Sequence, residues 1–334
     1  MNTSINRVLL TGGAGYVGAV LVPKLLRSGY FVTVIDWYIF GEHIFAPYKS
    51  HPRLTQIKGD IRNKRLLEME LKKCDAVIHL ACISNDPSFE LNPVLGKSIN
   101  YDATIALVDQ AKKLGVKRFI YASSSSVYGV KQETEVVEDL FLEPLTDYSK
   151  YKVLCEKYLL ANQSNDFVIS ILRPATICGY SPRLRLDLTV NMLTLQALVN
   201  HTITVFGGSQ KRPNIHIEDI TDLYVKMLEY PAYKIAGRIY NAGFENQTVL
   251  QIAKMIKRVL KDKRIQIKIT STQDLRSYKI SSAKLQKELK FIPRHRVEKA
   301  ITDLRDAYMQ GKIPEALTNH LYYNVNTLKL LSVG

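Results

Sequence analysis

The chain reads as an α/β protein: a doubly wound parallel sheet with a smaller mixed α/β lobe beside it. Three observations predict this. Short apolar runs alternate with helix-length segments through the first half, the first run breaks into Thr11-Gly-Gly-Ala-Gly-Tyr-Val-Gly18, and the rhythm stops beyond Arg173-Pro174. Buried strands separated by amphipathic segments pack as βαβ units, whose right-handed crossovers bring every strand's C-terminal end to one ligand-binding edge.

Arg7 to Thr11 is the first strand, and the helix after it begins inside the glycines. Val17, Val20, Leu21 and Leu25 supply its apolar face, and Ser28-Gly29 stops it. The glycines fit two registers, Gly13-x-Gly15-x-x-Gly18 and Gly12-x-x-Gly15-x-x-Gly18. Both let backbone N–H groups approach a pyrophosphate at a helix N-terminus. The second strand, Phe31 to Ile35, runs into Asp36, 18 residues after Gly18. A carboxylate there accepts hydrogen bonds from adenosine ribose hydroxyls and repels a 2′-phosphate, so NAD is expected over NADP.

Leu54 to Ile57, Ala76 to Leu80, Arg118 to Ala122 and Val168 to Leu172 continue the strands, and Ile235 to Tyr240 resembles one more. The expected division is a dinucleotide-binding domain over 1–180 and 214–244, with a substrate-binding lobe over 181–213 and 245–334.

At 334 residues and 46% apolar content, the chain can bury a large core. No apolar run approaches the roughly 18 residues of a membrane span, and the N-terminus enters a strand too directly for a signal peptide. Cys74, Cys82, Cys155 and Cys178 lack metal-ligand spacing, so they are read as reduced thiols of a cytoplasmic protein without a metal. The net charge is +15, and residues 245–334 alone hold 18 basic against 8 acidic residues. An anionic substrate fits that excess. No aromatic-basic groove pattern accompanies it, so neither nucleic acid nor a membrane is an expected partner.

Pro144-Leu-Thr-Asp147 starts a helix on which Tyr148, Lys152, Cys155 and Leu159 share a face. A phenol ordinarily titrates near pH 10 and is a poor base at neutrality. An ammonium ion one turn away and the positive nicotinamide ring stabilise the phenolate. The serine run 123–126 follows a strand that ends on the ligand edge, so one of its hydroxyls can bind the reacting oxygen. Chemistry alone leaves the register of the four serines open.

With these pieces in place, the chain resembles the extended short-chain dehydrogenase/reductase family, a Rossmann-fold group, and within it the NAD-dependent nucleotide-sugar epimerases and dehydratases. The matching stretches are TGGAGYVG at 11–18, Asp36, Gly59-Asp-Ile-Arg62, His79-Leu-Ala81, Asn100, SSSSVYG at 123–129, YSKYK at 148–152 with Glu156, Arg173-Pro174 and Asn241-Ala-Gly243. The resemblance implies a cofactor set of Gly12, Gly15, Tyr16, Val17, Gly18, Asp36, Asp60, Ile61, Leu80, Ala81, Asn100, Tyr148, Lys152 and Pro174. It makes Ser124 the catalytic hydroxyl beside Tyr148 and Lys152. On the substrate side it implies Asn191, with Arg212 and Arg276 flanking a diphosphate, and leaves Arg183 and Arg185 without a fixed role.

The implied activity is oxidation of a hydroxyl of a nucleoside-diphosphate sugar, at C4, by hydride transfer to NAD, with epimerisation as the outcome. Simple C4 oxidation or reduction is the alternative. Family dehydratases follow the catalytic hydroxyl with an Asp-Glu pair; here Ser125 and Ser126 stand there, which disfavours dehydration. A cofactor-binding regulator without chemistry is the reading from another class, and the intact Tyr148 and Lys152 argue against it. The helices over Leu95 to Leu114 and Tyr148 to Leu160 resemble those that pair in family homodimers.

Overall fold

A computed structural model of the chain describes residues 5–131, 133–272 and 277–331. Seven parallel strands form the main sheet: β1 Arg7–Thr11, β2 Phe31–Asp36, β3 Leu54–Lys58, β4 Ala76–His79, β5 Arg118–Ala122, β6 Val168–Pro174 and, from much later in the chain, Arg238–Ala242. Between the last two lie β7 Thr176–Cys178, β8 Thr202–Phe206 and β9 Lys211–His216, so the late strand is β10; β11 Glu245–Thr248 and β12 Gln266–Thr270 follow.

The order across the main sheet is β10-β6-β5-β4-β1-β2-β3. The chain winds outward from β1 to β3 and returns to β4 on the other side, opening a crevice between the C-terminal ends of β1 and β4. β1 shows why an apolar run makes such a strand. Val8 and Leu10 point into a core shared with Leu21, Val22 and Leu25 of the helix Gly18–Arg27 and Leu223 of the helix Ile217–Glu229. Leu9, on the opposite face, joins Leu67, Leu107, Cys155 and Leu159 from helices on that side. Alternate residues thus bury into two layers, and no polar face remains.

The remaining strands form two small sheets, β11-β9-β7 and a parallel β12-β8 pair. The helices Thr189–Asn200, Val249–Leu260 and Val297–Met309 pack together around them. Among the described residues no helix is long and apolar enough to cross a membrane.

Two elements differ from expectation. Ala232–Ile235 is a helical turn, and the strand expected over 235–240 runs over Arg238–Ala242 instead. Gly237, at φ +65°, breaks the turn and donates its N–H to Ile169 O at 2.8 Å, which sets where sheet pairing begins. The expected helix over 95–114 is interrupted by a π-helical turn, Ser98–Asp102, between Pro93–Lys97 and Ala103–Lys113. The widened turn carries Asn100, whose amide bonds both Ile83 N (2.8 Å) and Ile83 O (2.9 Å).

Candidate active site

A cleft of about 540 Å³ opens along the C-terminal edge of the sheet. Gly12, at φ +72°, turns the chain away from β1, and a Cβ there would lie 2.5 Å from Ala81 N. A Cβ on Gly18 would lie 2.2 Å from Gly13 O, so the helix start packs directly on the loop. Gly15, by contrast, would meet only Gly12 O, at 3.2 Å, and leaves the approach from the cleft open. The first turn of a helix has N–H groups without intrahelical partners, and here it carries no acidic residue. These features fit the pyrophosphate of a dinucleotide.

Asp36 lines the same cleft, its carboxylate accepting from Ala14 N (2.9 Å) and Tyr38 N (2.8 Å). Burial pushes its carboxyl above the ordinary value, opposed by those backbone N–H groups and by the charge of Arg183. Tyr16, Val17, Ile61, Leu80, Ala81 and Pro174, also expected at the cofactor, line the cleft as well. Two implied ligands do not line it. Asp60 lies between the lining residues Gly59 and Ile61 with its carboxylate held by Arg62. Asn100 is buried and shapes the loop after β4 through Ile83.

Thr146 caps the helix Asp147–Asn162 in a reciprocal capping box with Ser149 and also donates to Asp86 Oδ1 at 2.6 Å. The helix is thereby fixed with Tyr148 and Lys152 toward the cleft. Lys152 Nζ donates to Ala122 O at 2.6 Å and sits 5.9 Å from the centre of the Tyr148 ring. The serine run separates by function. Ser123 points back to Glu156, Ser124 accepts from Ser126 N at 3.1 Å, and Ser125 meets the Tyr278 hydroxyl at 3.2 Å.

The sequence expectation was a depressed Tyr148 phenol. Instead, burial pushes it above its ordinary value, and Cys82 and Asp86 add to the rise; Arg185 and a hydrogen bond with Ser124 oppose them. In the protein alone the desolvation of the ring outweighs the nearby cations.

The far wall comes from the segment 179–188. Arg185 pairs with Asp187, Nε to Oδ1 at 2.9 Å and Nη2 to Oδ2 at 3.0 Å, and Asp187 also accepts from Asn85. Arg212 reaches the cleft from β9, and Arg276 lies outside the described residues. Asn191 is fully buried and does not line the cleft, its side-chain oxygen accepting from Gly179 N and its nitrogen donating to Tyr16 OH and Arg185 O. These contacts tie the glycine loop to the segment 179–191. Sequence reasoning left out Cys82, Asn85, Thr176, Tyr278 and Asn324, all of which line the cleft. Cys82 and Thr176 lie just beyond the matching stretches His79-Leu-Ala81 and Arg173-Pro174 and Tyr278 lies close to Arg276 in sequence, whereas Asn85 and Asn324 have no local motif and only the fold brings them in.

A glycine loop, an acid at the end of the second strand and a Tyr-x-x-x-Lys helix around one crevice define a dinucleotide-dependent short-chain dehydrogenase/reductase site. The profile of the NAD dependent epimerase/dehydratase family matches residues 8–243, and the chain belongs to that family. NAD is its cofactor. The chain is 29% identical to UDP-glucose 4-epimerase 3 of Oryza sativa subsp. japonica, over 89% of this chain and 88% of that one. It superposes on UDP-glucuronic acid 4-epimerase from Bacillus cereus, in complex with UDP-glucuronic acid and NAD, with a TM-score of 0.81 and 27% identity, covering 91% and 99% of the two chains. DesIV, a dTDP-glucose 4,6-dehydratase from Streptomyces venezuelae, gives 0.82 at 25% identity, covering 93% and 100%.

Proposed function

We propose that the protein epimerises a nucleoside-diphosphate sugar by oxidising its C4 hydroxyl and reducing the resulting ketone on the opposite face. The observation that carries this reading is the convergence of Ser124, Tyr148 and Lys152 on the cleft lined by the glycine loop and Asp36. NAD, when bound, supplies the hydride acceptor and a positive ring that favours the phenolate. Tyr148 takes the hydroxyl proton through its phenol oxygen, and Ser124 hydrogen-bonds the same sugar oxygen. Lys152, one donor fixed on Ala122 O, keeps two for the cofactor ribose. Arg212 is assigned to the diphosphate, which a guanidinium matches in geometry.

Dehydration needs an acid beside the leaving hydroxyl. Ser125 and Ser126 stand where the family's acidic pair would be, and the cleft carboxylates are held elsewhere: Asp36 by backbone N–H groups, Asp86 by Thr146, Asp187 by Arg185. UDP sugars are the first substrates to try, given those named in relatives. We also infer a cytoplasmic homodimer. The four cysteines are free, and Val94 and Leu154, on helices of the expected interface, are 80% and 42% exposed.

The test is incubation with UDP-, GDP-, CDP- and dTDP-sugars, followed by NMR of the sugar and absorbance of NADH. A C4 epimer without net NADH supports the reading; a released ketone with stoichiometric NADH makes the protein a dehydrogenase instead. Tyr148→Phe should retain NAD and lose turnover. A light-scattering mass of a single 38.0 kDa chain would remove the dimer.

A further inference from the structure

Arg183 has no role in the reading above, yet its surroundings are unusual. The residue is 3% exposed and lines the cleft. Its Nη2 donates to Asn324 Oδ1, while Nε and Nη1 have no hydrogen-bond partner among the described residues. No carboxylate among them lies within salt-bridge distance of it, because Asp187 is taken by Arg185. The guanidinium carbon lies 3.5 Å from the centre of the Phe40 ring, which fixes the plane without satisfying the N–H groups. A buried guanidinium with two unanswered donors is costly unless a ligand anion answers them.

The surrounding groups indicate which anion. The segment that carries Arg183 is stitched to the glycine loop: Tyr16 OH donates to Gly179 O at 2.7 Å, and Ser181 Oγ donates to Tyr16 O at 2.8 Å. The charges and ionisable groups that act on Arg183 are Arg185, Asp187, Asp36 and Tyr16. Burial, reinforced by the charge of Arg185, pulls its ionisation down to about 9 and outweighs the opposing Asp187, Asp36 and Tyr16. Asp36 and Tyr16 belong to the expected cofactor set, and Phe40 lines the same cleft. From the other direction, Asn324 holds Nη2 while its own nitrogen donates to Ser84 Oγ at 2.8 Å, tying the C-terminal helix and the loop after β4 to the same guanidinium.

We propose that Arg183 is a phosphate-binding residue for the cofactor: its Nε and Nη1 edge takes the dinucleotide's pyrophosphate, and Asn324 positions it. The residue therefore acts as the second half of a clamp whose first half is the N-terminus of the helix Gly18–Arg27. This inference rests on NAD as the cofactor and on no particular sugar or reaction.

The experiment is calorimetric titration of NAD, ADP-ribose, adenosine and UDP into the wild type and the variants Arg183→Gln, Arg183→Lys and Asn324→Ala, with thermal melts of each ligand-free protein. Arg183→Gln should weaken NAD and ADP-ribose at least about tenfold, the scale of lost charge-assisted hydrogen bonds, and leave adenosine little changed. Arg183→Lys and Asn324→Ala should fall between. Ligand-free Arg183→Gln should melt no lower than wild type, since it removes an uncompensated charge; a purely structural arginine would give the reverse. Unchanged NAD and ADP-ribose affinity in Arg183→Gln overturns the proposal, as does a loss confined to UDP, which would move Arg183 to the substrate. Should Arg183→Gln not fold, Arg183→Lys and Asn324→Ala carry the same comparison. A wild type that binds neither NAD nor ADP-ribose would instead strike at the cofactor assignment itself.

Discussion

Glu156 and Arg173 form a buried bidentate pair behind the Tyr148 helix, Oε1 to Nε at 3.0 Å and Oε2 to Nη2 at 2.6 Å, each side chain 3% exposed. Ser123 donates to the same Glu156 oxygen, and Arg173 Nη1 donates to Tyr128 OH at 2.8 Å and Glu138 O at 3.1 Å. The end of β5, the middle of the helix and β6 are therefore locked together one residue behind Ser124. Buried pairs contribute little net stability, but breaking one strands a charge at a cost of about 3–5 kcal/mol. Glu156→Ala should lose that much in urea unfolding. Joint replacement by Glu156→Leu and Arg173→Met should recover most of it, and a double variant as unstable as the single one would count against this account.

The Tyr148 phenol lies above its ordinary value because burial dominates, and Arg185 is the charge that pulls it back. Removing that cation raises the phenol further, so at any given pH less phenolate is present to accept the sugar proton. Arg185→Gln should therefore shift the ascending limb of the kcat/KM profile to higher pH. A limb that stays in place would separate Arg185 from proton transfer.

How much of this was legible beforehand depended on whether a residue's partners were close in sequence. The inner strands showed as apolar runs because β1, β4, β5 and β6 are buried on both faces, and the glycine loop, Asp36 and the Tyr148 helix with its Thr146 cap are local patterns. Ser123 to Ser126 look alike in sequence and diverge only when a tight helical turn sends Ser123 to Glu156 and leaves Ser124 beside Tyr148. Asn100 and Asn191 read as ligands, yet each satisfies backbone groups brought near by the fold. Arg183 meets Asn324 across 141 residues, a contact no spacing announces. The β10 start was misplaced because Gly237 resets it.

Tyr16 leaves the glycine loop to reach the segment 179–191, where its hydroxyl donates to Gly179 O and accepts from Asn191 Nδ2 at 3.1 Å. Asn191→Ala would leave the Gly179 N–H without its acceptor, a loss of about 1–3 kcal/mol for an unsatisfied buried donor. The denaturation midpoint should drop accordingly. A substrate ligand would behave differently, with stability intact and KM raised, so the two measurements together decide between the roles.

Asp36 accepts from two backbone N–H groups and still faces the cofactor side of the cleft. Burial raises its carboxyl, so protons compete with ribose hydroxyls for its oxygens at a pH above the ordinary carboxylate range. NAD affinity should therefore fall on acidification as pH drops through that raised value, and Asp36→Asn should flatten the dependence. The same variant removes the negative charge that disfavours a 2′-phosphate while Arg183 remains beside it. The ratio of NADP to NAD affinity should rise about tenfold or more, the scale of one charge-assisted hydrogen bond lost and one repulsion relieved. An unchanged ratio, measured by titration of both dinucleotides at fixed salt, would mean that another group reads the ribose.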